Sequence, residues 1–158
     1  MKKQDTSEKT GQQKKEDSLV EEALKLEHQL CFPLYAAARK VTGLYTPFLK
    51  PLRLTYTQYL VFLVLWERDG LSVSEIGKKL KLDNGTLTPL LKKMEELGHL
   101  VRRRSREDER SVIVSLTEQG RELKEKVREI PAKVGNCVQL SEKEAGQLYH
   151  LLYQILET

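Results

Sequence analysis

Residues 71–98 read LSVSEIGKKLKLDNGTLTPLLKKMEELG, and this stretch decides the fold. Ser72-Val73-Ser74-Glu75 is a capping box: the serine hydroxyl accepts from the amide three residues on, and the glutamate there reaches back to the serine amide. It opens a short helix that runs to Leu80. Leu82-Asp83-Asn84-Gly85 is a turn rich in cap residues. A second helix follows from Thr86 to Leu97, closed by Gly98. Two short helices across such a turn form a helix-turn-helix.

Downstream, the hydrophobic period changes from helical to alternating. His99–Arg104 and Arg110–Leu116 read as two strands, with the polar stretch 105–109 as the exposed tip of a β-hairpin. Upstream, Tyr59, Leu60, Phe62, Leu63 and Trp66 make the helix from Thr57 to Arg68 apolar on two sides, with Thr55 as its cap and Gly70 as its end. That helix is expected in the core. The middle of the chain, about 55–117, therefore reads as a winged helix.

The flanks are helical too. Leu19, Ala23, Leu26, Leu30, Leu34, Ala37 and Val41 recur at three- and four-residue steps, predicting a helix from Asp17 to near Pro47. Pro33 has no amide to donate, so the helix kinks there or restarts with Pro33 near its first turn. A charged helix is expected from Thr117 to about Val134, bent or ended by Pro131. Ser141-x-x-Glu144 caps a last helix with Leu148, Leu151, Leu152, Ile155 and Leu156 on one stripe. The fold class is mainly α with a small β-hairpin wing. The domain organisation is a disordered polar tail over 1–16 and a single domain over 17–158. The outer helices, about 17–47 and 117–158, carry apolar stripes that the small middle cannot cover, so they are expected to form a homodimer.

Composition bounds the function. The chain has 158 residues, 32% charged and 39% hydrophobic, with a net charge of +4, which permits nucleic-acid binding without establishing it. No apolar run reaches the length of a membrane span, and the lysine-bearing N-terminus has no apolar signal core. The protein is expected in the cytoplasm, off the membrane, with Cys31 and Cys137 reduced. Neither cysteine belongs to a CxxC pattern and the three histidines are scattered, so no metal and no cofactor are expected. The tail could touch phosphates through Lys2, Lys3, Lys14 and Lys15, or simply be solvated.

The second helix of the pair carries Thr86, Thr88, Lys92 and Lys93, and a recognition helix sets such residues against base edges and phosphates in the major groove. Asn84 and Gly85 at its start offer backbone amides to a phosphate. The hairpin holds Arg102, Arg103, Arg104, Arg106 and Arg110, suited to phosphates and to the minor groove. Seven basic residues between Asp83 and Leu116 face six acidic ones, so a salt-bridged protein-interaction surface is the alternative.

Two motifs carry a resemblance. Residues 82–95, from Leu82 through Asn84, Gly85, Pro89 and Lys92 to Glu95, resemble the recognition segment of MarR-family regulators. Arg102-x-x-Ser105-x-x-Asp108-Glu109-Arg110-Ser111 resembles their wing. The resemblance implies a regulator of double-stranded DNA and not an enzyme, with Arg110 entering the minor groove and Asp108 orienting the basic side chains of the wing.

The other constellation surrounds Cys31. A lone cysteine in an apolar helix is ordinarily a small buried hydrophobe. Here Tyr35 follows one turn on and Tyr45 ten residues later, two hydroxyls able to donate to a thiolate. A helix restart near Pro33 would set Cys31 beside a helix N-terminus, which favours a negative charge. Phe32 and Phe48 add apolar surroundings suited to a greasy peroxide. The block Gln29-Leu30-Cys31-Phe32-x-Leu34-Tyr35, with Tyr45 beyond, resembles the organic-hydroperoxide-responsive (OhrR-like) branch of the MarR family. Some members carry Leu or Ala where this chain has Pro33.

The resemblance implies a repressor of an inverted-repeat operator. Its inducer would be an organic hydroperoxide, its sensor Cys31, and Tyr35 and Tyr45 would reach that thiol from the other subunit. Oxidised Cys31 would pair with Cys137 across the dimer or with a low-molecular-weight thiol. Cys137 as an incidental thiol is the alternative. Three rivals remain: a repressor induced by a non-covalent phenolic ligand, a thiol peroxidase using Cys31, and a protein-interaction winged helix.

Overall fold

The computed structural model describes residues 18–105, 108 and 110–157, in two units, one up to Gly43 and one from Leu44 onward. The first unit contains a short helix α1 (18–23), a 3-10 turn at Leu26–His28, and α2 (Cys31–Gly43). The continuous helix expected from Asp17 to Pro47 is thus broken. Side chains take the place of the next turn: His28 Nδ1 bonds the Glu22 carbonyl at 2.8 Å, and the Gln29 amide donates to the Ala23 carbonyl. Gln29 itself is extended, with φ −91° and ψ 106°. The restart at Cys31 puts Pro33 third in α2, where the missing amide would have had no helical partner.

The second unit opens with α3 (Thr46–Leu49), with Pro47 in its first turn, and a 3-10 turn at Lys50–Leu52. Helix α4 (Tyr56–Glu67) follows, opened by a capping box between Thr55 and Gln58. It buries Tyr59, Val61, Phe62, Val64 and Leu65, so its all-round apolar sequence makes it the core helix as expected. Burying a side chain such as Phe62 contributes about 1.5–3 kcal/mol.

Next come β1 (Leu71–Ser72), α5 (Val73–Leu80) and α6 (Asn84–Glu96). The Ser72–Glu75 capping box forms, with both the amide and the hydroxyl of Ser72 donating to Glu75 at 2.8 Å. Helix α6 starts two residues earlier than the sequence predicts, because Asp83 is its cap. Strands β2 (Leu100–Arg104) and β3 (Val112–Leu116) make the wing. The sheet is three-stranded and antiparallel, ordered β1-β3-β2, with Leu71 opposite Val114 and Arg102 opposite Val114 on the other side. Strand β1 is too short for an alternation signal, and it joins the sheet only because Leu71 is buried against the hairpin.

The charged helix expected to Val134 is two: α7 (Glu118–Val127) and α8 (Ile130–Gly135), with Pro131 in the first turn of α8. Helix α9 (Glu142–Glu157) is capped by Ser141, whose amide and hydroxyl reach Glu144 at 2.8 and 2.6 Å. Its Leu148, Leu151, Leu152, Ile155 and Leu156 are all exposed. Among the described residues, no helix is long and apolar enough to cross a membrane.

The base of the wing is cross-tied. Trp66 Nε1 donates to the Gly120 carbonyl at 3.0 Å, and the Thr117 hydroxyl donates to the Gly98 carbonyl at 2.7 Å. Asp69 accepts from the Leu116 amide at 2.9 Å and pairs with Arg121 at 2.8 Å. A Cβ on Gly120 would lie 2.1 Å from the His99 carbonyl oxygen. Gly120→Ala is therefore expected to destabilise the protein by about 1–3 kcal/mol in denaturant unfolding. Gly146→Ala, with nothing within 4 Å of the added methyl, should be neutral or stabilising by up to about 1 kcal/mol.

Candidate nucleic-acid interface and sensor thiol

Helix α6 has two faces. Leu87, Leu91 and Met94 are fully buried, while Asn84, Gly85, Thr86, Thr88, Pro89, Lys92 and Lys93 are exposed. Gly85, Pro89 and Lys92 follow one another at helical spacing along the outward stripe. Pro89 has no amide, so the Gly85 carbonyl lacks its usual helical donor.

The threonines are engaged locally. Thr86 donates its hydroxyl to Asp83 Oδ2 at 2.8 Å, and Thr88 donates to the Asn84 carbonyl at 2.6 Å. Asp83 Oδ1 accepts from the Thr86 amide at 2.8 Å. The Thr86 hydroxyl and then its amide hold the Asp83 carboxyl below its ordinary 3.8, so it is anionic at neutral pH. A carboxylate bound to the Thr86 amide therefore stands at the helix start, beside the Asn84 and Gly85 amides that the sequence offered to a phosphate.

On the wing, Arg103, Arg104, Asp108 and Arg110 are exposed. Arg102 is half-buried and turned inward. Its amide and Nε donate to Glu95 at 2.8 and 2.9 Å, and its Nη2 lies 2.8 Å from the same carboxylate. Arg102 thus locks β2 to α6 instead of standing ready for DNA. Asp108 Oδ1 accepts from the Arg110 amide at 3.0 Å, so it sets Arg110 through the backbone rather than through the guanidinium. Arg106, Glu107 and Glu109 lie outside the described residues, as do Lys2, Lys3, Lys14 and Lys15. Lys93 pairs with Glu96 at 3.3 Å.

The thiols are both free and exposed. Cys31 is the first residue of α2, with its Sγ 3.9 Å from Gln29 Oε1. It is not the buried small hydrophobe of a continuous helix. Leu30 and Phe32 beside it are exposed as well. Tyr35 lies one turn on, but its hydroxyl accepts from Arg39 at 3.1 Å, and the guanidinium stands 5.5 Å above its ring. Cys137 sits in the turn after α8, its thiol donating to the Lys133 carbonyl at 3.3 Å.

Tyr45, in the second unit, packs its ring 4.9 Å from Tyr56 and 5.6 Å from Tyr59. Burial and then the neighbouring Tyr45 raise both Tyr56 and Tyr59 above the ordinary 10.0, which keeps these phenols protonated donors. Sequence reasoning found Tyr45 and missed its two companions, because tyrosines in an apolar helix read as core. Among the described residues, no three His, Cys, Asp or Glu side chains converge to hold a metal ion.

The chain matches the sequence model of the SarA/Rot transcriptional regulators over residues 43–127. It is 51% identical over 135 residues to the organic hydroperoxide resistance transcriptional regulator of Bacillus subtilis (strain 168), covering 85% of this chain and 92% of that one. The chain belongs to the MarR-type winged-helix transcriptional regulators, in their organic hydroperoxide resistance branch. Regulators of this branch act by holding DNA and are not enzymes. AbfR of Staphylococcus epidermidis, solved in its reduced form on DNA, superposes on this regulator with a TM-score of 0.73 at 35% identity, over 89% of this chain and 97% of that one. AbfR with its disulfide formed superposes at 0.63, again at 35% identity, over 89% and 96%.

The Glu95–Arg102 lock gives a prediction. Arg102, first through its side chain and then through its amide, holds the Glu95 carboxyl below its ordinary 4.5. A depressed carboxyl stabilises the fold above its unfolded value and loses that effect as pH falls through the folded one. Wild type should therefore lose stability in acid below about pH 4.5. Glu95→Gln should unfold more easily at pH 7 and show a smaller loss across that acid window in urea titrations.

Proposed function

We propose that this regulator is a homodimeric, cytoplasmic repressor that holds an inverted-repeat operator while reduced and releases it when an organic hydroperoxide oxidises Cys31. The observation that carries the reading is Cys31 itself, an exposed thiol on the first residue of α2, flanked by apolar side chains. The thiolate attacks the peroxide O–O bond; an alcohol leaves and the sulfur becomes a sulfenic acid. A second thiol then displaces water from that sulfur and forms a disulfide. The second thiol is Cys137 of the partner subunit or a small cellular thiol.

In this reading each recognition helix α6 enters one half-site, with Gly85, Thr86, Thr88, Pro89 and Lys92 on its outward stripe. Arg104 and Arg110 of the wing reach the adjacent groove. The exposed apolar residues of α2 and of α9 are what a second copy covers. Tyr45, packed with Tyr56 and Tyr59, offers a phenol hydroxyl that would donate to a reduced sulfur. A disulfide at Cys31 removes that acceptor and shifts the helices that set the half-site spacing.

The test is a DNA-binding titration on the protein's own upstream region, with and without cumene hydroperoxide. Wild type should lose about tenfold or more in affinity on oxidation, and Cys31→Ser should not. Cys137→Ser, with and without a small thiol, then separates the two disulfide routes. Release of Cys31→Ser equal to that of wild type would overturn the sensor and point to a bound ligand instead.

A further inference from the structure

The recognition helix presents a carboxylate, not bare amides, at its start, so an operator phosphate is turned away from that point. Yet in a helix-turn-helix the first helix crosses the sugar-phosphate backbone at the rim of the groove that the second helix reads. Cations must meet the phosphates there. Asp83 helps to line an open groove of ≈ 450 Å³, together with Ser74, Gly77, Lys78, Lys81 and Asn84. Gly77 lets α5 approach the following turn and α6 closely: a Cβ there would sit 2.7 Å from the Leu82 carbonyl oxygen and 3.2 Å from Leu87.

The lysines of α5 are not equivalent. Lys79 is tied to Glu67, Nζ to Oε2 at 2.8 Å. Lys78 and Lys81 are exposed, and among the described residues neither stands in an ion pair, although Glu75 feels the charge of Lys78. Lys81 caps α5 with φ +55°, the left-handed conformation that favours glycine, which takes it off the helical path beside the groove.

We propose that Lys78 and Lys81 form a phosphate clamp that grips the operator backbone at the rim of the major groove, beside the recognition helix. The inference rests on the DNA-binding reading above and extends it. The clamp and Asp83 line one groove and act as a pair: the carboxylate keeps phosphate off the start of α6, and the two ammonium groups draw it to their own side. Such contacts fix register and add affinity but carry no base information.

The experiment measures binding of the reduced full chain to its upstream duplex and to a scrambled duplex of equal length, across a salt series. The proteins are wild type, Lys78→Gln, Lys81→Gln and Lys79→Gln. Lys78→Gln and Lys81→Gln should each weaken binding about three- to tenfold on both duplexes. Each should also flatten the dependence of log affinity on log salt by about 0.9 per contact removed, hence about 1.8 for a dimer. Lys79→Gln should match wild type on both measures, and all four should share one unfolding midpoint to within about 2 °C. If the wild type binds its upstream duplex and is released by peroxide, but Lys78→Gln and Lys81→Gln behave like Lys79→Gln, the clamp alone is overturned. A loss confined to the upstream duplex overturns it too, since that would be base reading. A wild type that binds neither duplex overturns the clamp and the DNA reading together.

Discussion

A helix with no polar face has to be wrapped, and α4 is that helix. Val61, Phe62 and Leu65 are almost wholly buried, and the stripe of Tyr59 and Trp66 extends the apolar surface round a second side. Apart from α9, the elements of the second unit are laid against this requirement or against what already meets it. The Ser72 box turns the chain back so that Ile76 and Leu87 reach the core. The hairpin brings Leu100 and Val114 to it. Because these inward residues fix the rotation of α5 and α6, they also fix which residues face outward. The reading surface is what remains of α6 once Leu87, Leu91 and Met94 have been placed.

The parts of this arrangement that are local in sequence were legible there. The capping boxes, the glycine stops and the hairpin arginines all depend on residues within a few positions of one another. What escaped depends on distance. Glu95 and Arg102 are seven residues apart but belong to different elements, so nothing in the string says that Arg102 turns inward. Strand β1 is two residues long and exists only by pairing with a strand more than 40 positions later. Lys78 and Lys81 look in sequence like any solvated helix face, and only the ion pair of Lys79 separates them from it.

The sensor region follows a different logic. Its first unit buries almost nothing of its own: Leu30, Phe32 and Tyr35 are all exposed. The period of the apolar residues across 19–41 was real, but it marks a surface rather than a single rod. Local hydrogen bonds from His28 and Gln29 end α1 before Pro33 has to be accommodated. The break turns Cys31 from a mid-helix residue into a helix-start residue, and in the proposed mechanism that position bears on the reactivity of its sulfur.

The chain's single tryptophan stands at the seam between the core and the base of the wing. The Trp66 indole lies 5.0 Å from the Phe62 ring and hydrogen-bonds the Gly120 carbonyl at the head of α7. Its emission therefore depends on whether α7 keeps its seat on α4. The molecule carries its own optical strain gauge, read at one wavelength without a label, at the joint through which any movement of the C-terminal helices would reach the wing.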